Sequence, residues 1–195
     1  KFIEDHPGEM RIAPTGTEVE EIVSGGGIAC LLGMEGAHPL MGDIAKLETL
    51  VGRGIRYLTL THFTSNEAAA AATGPRPNFT GLSDFGREVV EYCNDKRVII
   101  DLAHTSRETF MQAASLSKRP VIVSHTGVRG VRDMWRNIDD EQIDAVAESG
   151  GVIGIIFQSI FLGSKLVESV EKWIDHVDYV KNRVGIDHIA IGSDF

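Results

Sequence analysis

Five side chains that can bind a metal ion each follow a short apolar run of the sequence. Histidines end three of these runs, at His62, His104 and His125, and carboxylates end two others, at Glu35 and Asp194. In a parallel α/β barrel every strand points the same way, so groups at the carboxyl ends of the strands meet at one mouth, where such barrels carry out chemistry. The pattern therefore predicts a metal-dependent hydrolase.

Glu35, His104 and His125 are the predicted metal ligands. His104 and His125 end successive strands, which lie about 4.8 Å apart in a sheet, so both imidazoles can reach one ion. Two histidines and a carboxylate form a recognised catalytic zinc set that leaves a position open for water. In the structural alternative, each histidine caps its strand by bonding a loop carbonyl, and Glu35 pairs with a loop arginine or lysine.

His62 and Asp194 are candidates for catalysis, and Arg136 is a candidate for substrate binding. His62 is suited to donate a hydrogen bond to a substrate carbonyl oxygen on which negative charge develops; a metal ligand or a structural loop histidine are the alternatives. Asp194 is suited to pass a proton from water to a leaving amine, or else to cap a helix. Arg136 can pair with a substrate carboxylate in a bidentate manner, although the bare sequence favours a solvated loop arginine.

Short β-rich runs alternate with amphipathic helical segments, which is the pattern of βα units and a parallel sheet. Seven strands are predicted, at 10–13, 28–34, 55–61, 98–103, 121–124, 152–157 and 189–193. Helices are predicted at 18–24, 41–52, 83–96, 107–117, from 139 or 140 to 149, and 165–183. Helix caps are expected at Thr15 or Thr17, at Ser83, and at Thr105 with Glu108 as its capping-box partner. Residues 63–82 have no clear period and are predicted to form a loop at the barrel mouth.

The chain length limits the expected fold. An eight-stranded α/β barrel usually needs about 250 residues, whereas this chain has 195. We therefore expect a single partial (β/α)8 TIM-like barrel over residues 1–195, with about seven of the eight strands, lacking the first strand and the C-terminal end. No linker or low-complexity segment marks a second domain.

Composition excludes several classes of partner. The formal net charge of −9 leaves no basic stripe for a nucleic-acid backbone. No apolar stretch reaches the roughly 18 residues of a membrane span, and the first residues lack a signal-peptide pattern, so the default location is cytoplasmic unless a signal precedes this sequence. Cys30 and Cys93 do not make a disulfide framework and are expected to be small buried hydrophobes.

The ordered set of motifs resembles the membrane dipeptidase (renal dipeptidase) family, zinc dipeptidases with a distorted (β/α)8 barrel related to the amidohydrolases. The likeness is carried along nearly the whole chain by Gly33-Met-Glu-Gly-Ala-His38, Tyr57-Leu-Thr-Leu-Thr-His62, Gly81-Leu-Ser-Asp-Phe-Gly86, Ile100-Asp-Leu-Ala-His104, Ser124-His125, Arg136-Asn137 and Gly192-Ser-Asp-Phe195.

The resemblance implies a role for each candidate. It implies that Glu35 bridges two zinc ions, one of them held by His104 and His125. It also implies that His62 polarises the scissile carbonyl. It implies further that Arg136 binds the substrate's C-terminal carboxylate. Asp194, by the same resemblance, handles the proton of the bridging hydroxide.

One part of the family pattern is absent from the expected place. The second zinc of the family uses a His-x-Asp motif on the first barrel strand, and Asp5-His6 does not have that spacing. The expected cofactor is therefore zinc, with two ions in the intact family site and one of them supported by residues of this chain.

The expected function is hydrolysis of dipeptides by a metal-activated hydroxide. The resemblance suggests broad side-chain tolerance, including a D-residue at the C-terminal position, and leaves a homodimer open. Two alternatives stand beside this reading: an amidohydrolase-type reaction on a lactam, cyclic amide or ester, and a non-catalytic barrel that has lost one metal half-site.

Overall fold

A parallel sheet forms the centre of the computed structural model, which describes residues 2–163 and 169–195. Strands β1 and β2 pair with each other, and strands β3 to β8 form a six-stranded parallel sheet in the order of the sequence, as expected of a (β/α) barrel. Their bounds are β1 (Met10–Ile12), β2 (Ile28–Cys30), β3 (Leu32–Glu35), β4 (Ile55–Thr59), β5 (Ile99–Asp101), β6 (Val121–Thr126), β7 (Ile153–Ile156) and β8 (Ile189–Gly192).

Helices separate these strands along the chain, except between β2 and β3, which follow each other directly. Their bounds are α1 (Phe2–Asp5), α2 (Gly16–Ser24), α3 (Ile44–Gly52), α4 (Asp84–Lys96), α5 (Arg107–Leu116), α6 (Asp140–Glu148), α7 (Ser159–Leu162) and α8 (Ser169–Val184), with short 3-10 turns at His38–Leu40 and Ile186–His188. The predicted helix at 165–183 is therefore observed from Ser169 onward, and its first part, up to residue 168, lies outside the described residues. The short helices α1 and α7 were not predicted.

The predicted strand at 28–34 is two strands in the structure. The chain changes partner at Leu31, because β2 pairs with β1 whereas β3 pairs with β4. Gly33 lies directly against the ring of Tyr57, and a Cβ at this position would come within 1.9 Å of the ring. The absence of a side chain at Gly33 therefore lets β3 lie close to β4 and sets the position of Glu35, two residues later.

Helix caps follow the sequence at most positions. The hydroxyls of Thr15 and Ser83 accept hydrogen bonds from the first turns of α2 and α4, as predicted. The prediction of Thr105 as the cap of α5 is wrong. The hydroxyl of Ser106 accepts the hydrogen bond from the backbone N–H of Thr109, while the hydroxyl of Thr105 donates to the carbonyl of Leu102. Since α5 begins at Arg107, only the residue directly before it can cap its first turn.

The core lies between the sheet and the helices that cover it. Buried side chains of the strands, such as Leu58 and Ile153, share one apolar cluster with Val89, Phe110 and Val180 of the helices. Among the described residues, no helix combines the length and the apolar character needed to cross a membrane. Both cysteines are free thiols; Cys93 is fully buried as expected, and Cys30 only partly so.

The predicted loop at 63–82 forms a wall beside the strand ends. The side-chain amide of Asn66 donates to the carbonyl of Leu60, and its oxygen accepts from the N–H groups of Ala68 and Ala69. The N–H of Ala72 donates to the carbonyl of His104 at 2.8 Å. The loop is therefore tied to the same edge of the sheet that carries the candidate functional residues.

Candidate metal centre

The five candidate residues come together at the carboxyl edge of the sheet. Glu35 is the last residue of β3, and His125 is the last residue but one of β6. His62 and His104 each lie three residues beyond the ends of β4 and β5, and Asp194 lies two beyond the end of β8. The parallel order of the strands thus brings together groups that are far apart in the sequence.

Two nitrogen atoms and one oxygen atom lie close enough together to bind the same metal ion. Glu35 Oε1 is 3.1 Å from His104 Nε2 and 3.4 Å from His125 Nε2, and the two nitrogens are 2.9 Å apart. Ligand atoms around a tetrahedral zinc ion lie about 3.3 Å from one another, given metal–ligand bonds of about 2.0–2.1 Å. The spacing of Glu35, His104 and His125 therefore suits a common ion.

His62 and Asp194 flank this group on opposite sides. His62 Nε2 is 3.8 Å from Glu35 Oε1, and Asp194 Oδ1 is 3.9 Å from His125 Nε2. Each side therefore offers a set of three possible ligands that includes Glu35, completed by His62 and His104 on one side and by His125 and Asp194 on the other. Glu35 lies at the centre of the whole arrangement.

Two residues of the site have a backbone conformation that side chains disfavour. His104 and Asp194 both have φ of +64°, in the left-handed region. The other non-glycine residues with positive φ among those described are Met41 and Arg97, and both follow a helical turn as its C-terminal cap. Strain of this kind, outside a helix end, is typical of functional sites whose surroundings enforce it.

Burial keeps the central imidazoles neutral. It lowers the pKa of His104 to about 2, with further lowering from the positive charge of Arg136 and from His125 and His62. Burial and Arg136 also lower the pKa of His125, against the opposing charges of Asp194, Asp101 and Glu35. Because a metal binds the neutral imidazole, both rings are in the protonation state that coordination requires.

Arg136 is a buried cation that is only partly paired. Its residue is 4% exposed, and its Nη2 donates to the carbonyl of His125 at 2.9 Å. Its Nε has no hydrogen-bond partner among the described residues. Burial lowers the pKa of Arg136 to about 10, against the raising effect of Asp101, Asp194 and Glu35, so the guanidinium remains charged at neutral pH. An unpaired donor on a buried cation suits an anionic ligand.

A cavity of about 350 Å³ adjoins His104, one of the candidate metal ligands. Its wall includes His104 and Arg136, together with Ala72, Phe79 and Trp135. A volume of this size lies at the lower end of the range of small-molecule sites. The cavity therefore offers room for a small ligand in contact with both His104 and the buried guanidinium.

Other histidines lie outside the group. His38 contacts the backbone oxygen and the hydroxyl of Thr64, each at 3.1 Å, and is in neither set of possible metal ligands. A His-x-Asp sequence does occur in α8, at His176 and Asp178, but His176 is bonded to Val128 and Leu162 within the core. It is therefore not the strand motif of the second zinc site.

Sequence reasoning missed one residue that contacts this site through others. Asp101 is fully buried at the end of β5 and accepts hydrogen bonds from the hydroxyls of Thr59 and Ser124. The available signal was a charged residue within an apolar strand, because a buried carboxylate needs hydrogen-bond donors around it.

The described residues form an α/β fold with a parallel sheet, as in part of a (β/α) barrel, and a group of candidate metal ligands lies at the carboxyl ends of its strands. The whole chain, residues 1–195, matches the family model described as membrane dipeptidase, peptidase family M19. The chain belongs to this family, which confirms the resemblance inferred from its motifs.

Relatives and solved structures agree with this assignment. Dipeptidase verJ of Clonostachys rogersoniana is 36% identical over 194 residues, covering 100% of this chain and 50% of the relative. Dipeptidase 3 of Rattus norvegicus is 34% identical over 188 residues, covering 91% of this chain and 38% of the relative. The chain thus spans half or less of the length of these relatives.

Two solved structures share the fold. A metallo peptidase from Rhodobacter sphaeroides, liganded with a phosphinate mimic of the dipeptide L-Ala-D-Ala, has a TM-score of 0.88 and 27% identity, over 100% of this chain and 58% of its own. The probable dipeptidase PvdM from Pseudomonas aeruginosa has a TM-score of 0.89 at 23% identity, over 100% of this chain and 64% of its own, which supports the fold alone. These likenesses confirm the expected barrel-type fold.

Proposed function

We propose that the protein is a zinc-dependent dipeptidase whose centre is built on Glu35, His104 and His125. The observation that carries the proposal is the contact of Glu35 Oε1 with both Nε2 atoms, next to a cavity that also reaches Arg136. Membership of the M19 family supports the same activity. So do relatives that are named dipeptidases.

The donor atoms fit a zinc ion by their chemistry. Two neutral imidazole nitrogens and one carboxylate oxygen are among the ligands that zinc prefers. Glu35 would also be shared with a second ion, whose own ligands would include the family's His-x-Asp motif. Bound zinc would supply a Lewis acid that polarises a carbonyl group and lowers the pKa of water.

The remaining residues would bind and orient the dipeptide and move its protons. The imidazole of His62 is partly exposed beside Glu35 and would donate a hydrogen bond to the oxygen of the scissile carbonyl. Asp194 would accept a proton from the attacking water and return it to the leaving amine. The guanidinium of Arg136 would pair with the free carboxylate of the substrate, which restricts the site to short peptides.

We further propose that residues 1–195 form one partial barrel domain within a longer barrel. The share of the relatives that this chain covers supports the proposal. In the part of the chain that the structure describes, β3 and β8 are the two ends of the six-stranded sheet and do not pair with each other. The cytoplasmic location and the homodimer stay predictions.

The test uses the full-length polypeptide that carries this chain. Purified protein is analysed for zinc and assayed with dipeptides of L- and D-alanine, each with a free C-terminal carboxylate and as the C-terminal amide. We expect bound zinc, and hydrolysis of the free dipeptides at least about 100-fold faster than of the amides, because only the former can pair with Arg136. Equal rates would support the lactam, cyclic amide or ester alternative, and protein that binds no zinc would support the non-catalytic barrel.

A further inference from the structure

A buried carboxylate lies behind the candidate zinc ligands and is surrounded by donors. Asp101 Oδ2 accepts hydrogen bonds from the hydroxyls of Thr59 at 2.5 Å and Ser124 at 2.6 Å. Its Oδ1 accepts from the backbone N–H groups of Ser124 at 2.8 Å and Ala103 at 3.1 Å. All four partners donate, so Asp101 acts only as an acceptor and holds its place in the core through these bonds.

The direction of these bonds determines where the hydroxyl proton of Ser124 lies. A serine hydroxyl has one proton to donate, and at 2.6 Å from the Asp101 carboxylate that proton is directed to Oδ2. The same Ser124 oxygen lies 2.8 Å from Nδ1 of His125. It must therefore accept the hydrogen bond there, so Nδ1 of His125 carries the proton of the neutral ring. His125 Nε2 then carries the lone pair of the ring, and this atom lies beside His104 Nε2 and Glu35 Oε1.

The backbone geometry explains how two consecutive side chains come into contact. Successive side chains of a regular strand point to opposite faces of the sheet. The pairing of β6 with β7, however, shifts register between Val123 and Thr126, across Ser124 and His125. This irregularity accompanies the short distance between the Ser124 hydroxyl and the His125 ring.

The neighbouring strands hold this irregular segment tightly. A Cβ added at Gly154 or Gly192 would lie 2.1 Å or 2.2 Å from the carbonyl oxygen of Ser124. On the other side, Arg136 donates to the carbonyl of His125. The segment is therefore packed closely enough to keep the Ser124 hydroxyl and the His125 ring in one arrangement.

We propose that Asp101 and Ser124 are positioning residues that fix the tautomer and the ring orientation of His125, so that Nε2 is presented to the zinc ion. The proposal rests on the proposed function for the presence of zinc, but the hydrogen bonds that carry it lie outside the ligand set. It makes the Asp101–Ser124–His125 chain part of the metal site, although neither Asp101 nor Ser124 would itself bind the ion.

The first test compares zinc affinity in the full-length protein. We expect Ser124→Ala to weaken zinc binding by about 10–100-fold, the range found when a partner of a ligating histidine is removed. Thr59→Val is the matched control, because it removes a hydroxyl from the same carboxylate without touching His125, and it should retain the affinity within about threefold. Ser124→Thr keeps the hydroxyl and should restore most of the lost affinity.

Competition with a chromophoric chelator measures these affinities on purified protein. Equal affinities of the Ser124→Ala and Thr59→Val variants would overturn the proposal, and so would a Ser124→Thr variant no better than Ser124→Ala.

A second measurement needs no variant and no metal. Heteronuclear NMR of the metal-free wild-type protein at neutral pH reports which ring nitrogen of each histidine carries the proton. We expect the Nδ1–H tautomer at His125, and the Nε2–H tautomer would overturn the proposal even if every variant failed to fold. Wild-type protein that binds no zinc would contradict the proposed function, while this measurement would still decide the orientation of His125.

Discussion

Two buried histidines of this protein differ in the groups that their ring nitrogens contact. His125 at the mouth and His176 in α8 are both almost inaccessible, and burial lowers the pKa of each. Both nitrogens of His176 have backbone partners, since Nδ1 accepts from the N–H of Val128 and Nε2 lies near the carbonyl of Leu162. His125 instead contacts side chains at both nitrogens: Nδ1 lies 2.8 Å from the hydroxyl of Ser124, and Nε2 faces Glu35 and His104.

The difference teaches that burial alone does not mark a functional histidine. What distinguishes His125 is a nitrogen, Nε2, whose neighbours are other candidate ligand atoms and not backbone groups. The backbone conformation of the mouth is also unusual. His104 and Asp194 have φ angles in the left-handed region although neither of them is the C-terminal cap of a helix. Unfavourable backbone conformations are therefore found at the candidate site, whereas the packed helices follow the usual conformational preferences.

The largest effect is expected at the centre of the mouth. Glu35→Gln in the full-length protein should weaken zinc binding by more than about 100-fold, beyond the range for residues that act through a ligand, because the amide removes the shared negative charge. Dipeptide hydrolysis should fall with it. Zinc analysis after dialysis and a dipeptide assay measure both.

Glu88→Gln, an exposed change of the same type on α4, is the control and should leave zinc binding and activity unchanged. Retention of zinc by Glu35→Gln would remove Glu35 from the ligand set.

The grouping of the histidines at the mouth was predictable from the sequence, because it depends on the periodicity of the strands and on the position of each histidine at a strand end. Strand periodicity together with strand-end histidines placed His62, His104 and His125 at one edge, since parallel strands end on the same side of a sheet. The split between β2 and β3, by contrast, depends on which strand pairs with which, and no local pattern at Leu31 records that choice.

The interaction of Asp101 with Ser124 was not predictable either. It requires the register of β5 against β6 and the irregular pairing of β6 with β7, both of which are set by tertiary packing. The distinction between His125 and His176 has the same origin, because the partners of His176 are backbone groups of distant segments.

Removal of His176 should reduce stability without affecting the metal centre. His176→Ala is expected to lower the free energy of unfolding by about 2–4 kcal/mol, because it leaves a cavity and an unpaired buried N–H at Val128. Zinc affinity should stay within about threefold of wild type, since the two sites share no ligand. Urea denaturation and chelator competition on the same preparations measure the two quantities. A loss of zinc affinity as large as that of Glu35→Gln would mean that the two regions are not independent.

Arg136→Lys tests whether the unpaired donor at the mouth recognises a carboxylate. Lysine keeps the charge but loses the planar fork, so we expect kcat/KM for free dipeptides to fall by about 30-fold, mainly through KM. Arg87→Lys is the control, because Arg87 is exposed on α4 and does not line the cavity that contains Arg136. Unchanged dipeptide kinetics in Arg136→Lys would exclude Arg136 from substrate binding.

The pH dependence of stability provides a finer test of the structural histidine. Desolvation lowers the pKa of His176 in the folded protein, so below the ordinary value of about 6.5 the unfolded chain binds a proton that the folded protein does not. Stability should therefore fall as the pH drops below about 6.5, by at most about 1.4 kcal/mol per pH unit from this one group.

His104 and His125 contribute with the same sign, so the contribution of His176 is taken as the difference between wild type and His176→Ala. This difference should shrink as the pH falls from neutral, and urea denaturation at several pH values measures it. A difference that stays constant with pH would show that His176 is protonated equally in both states.

The smallest effect on stability is expected at Arg97, a residue with a left-handed backbone conformation outside the candidate metal centre. Arg97 ends α4 with φ of +58°, whereas Arg53 ends α3 with φ of −85°. Arg97→Gly should raise the free energy of unfolding by about 0.5–1 kcal/mol, because glycine adopts the left-handed conformation without a steric cost. Arg53→Gly should lower it by a similar amount, since glycine gains only freedom in the unfolded chain there. Urea denaturation of the two variants measures both, and equal destabilisation would mean that the left-handed conformation of Arg97 carries no steric cost that glycine could remove.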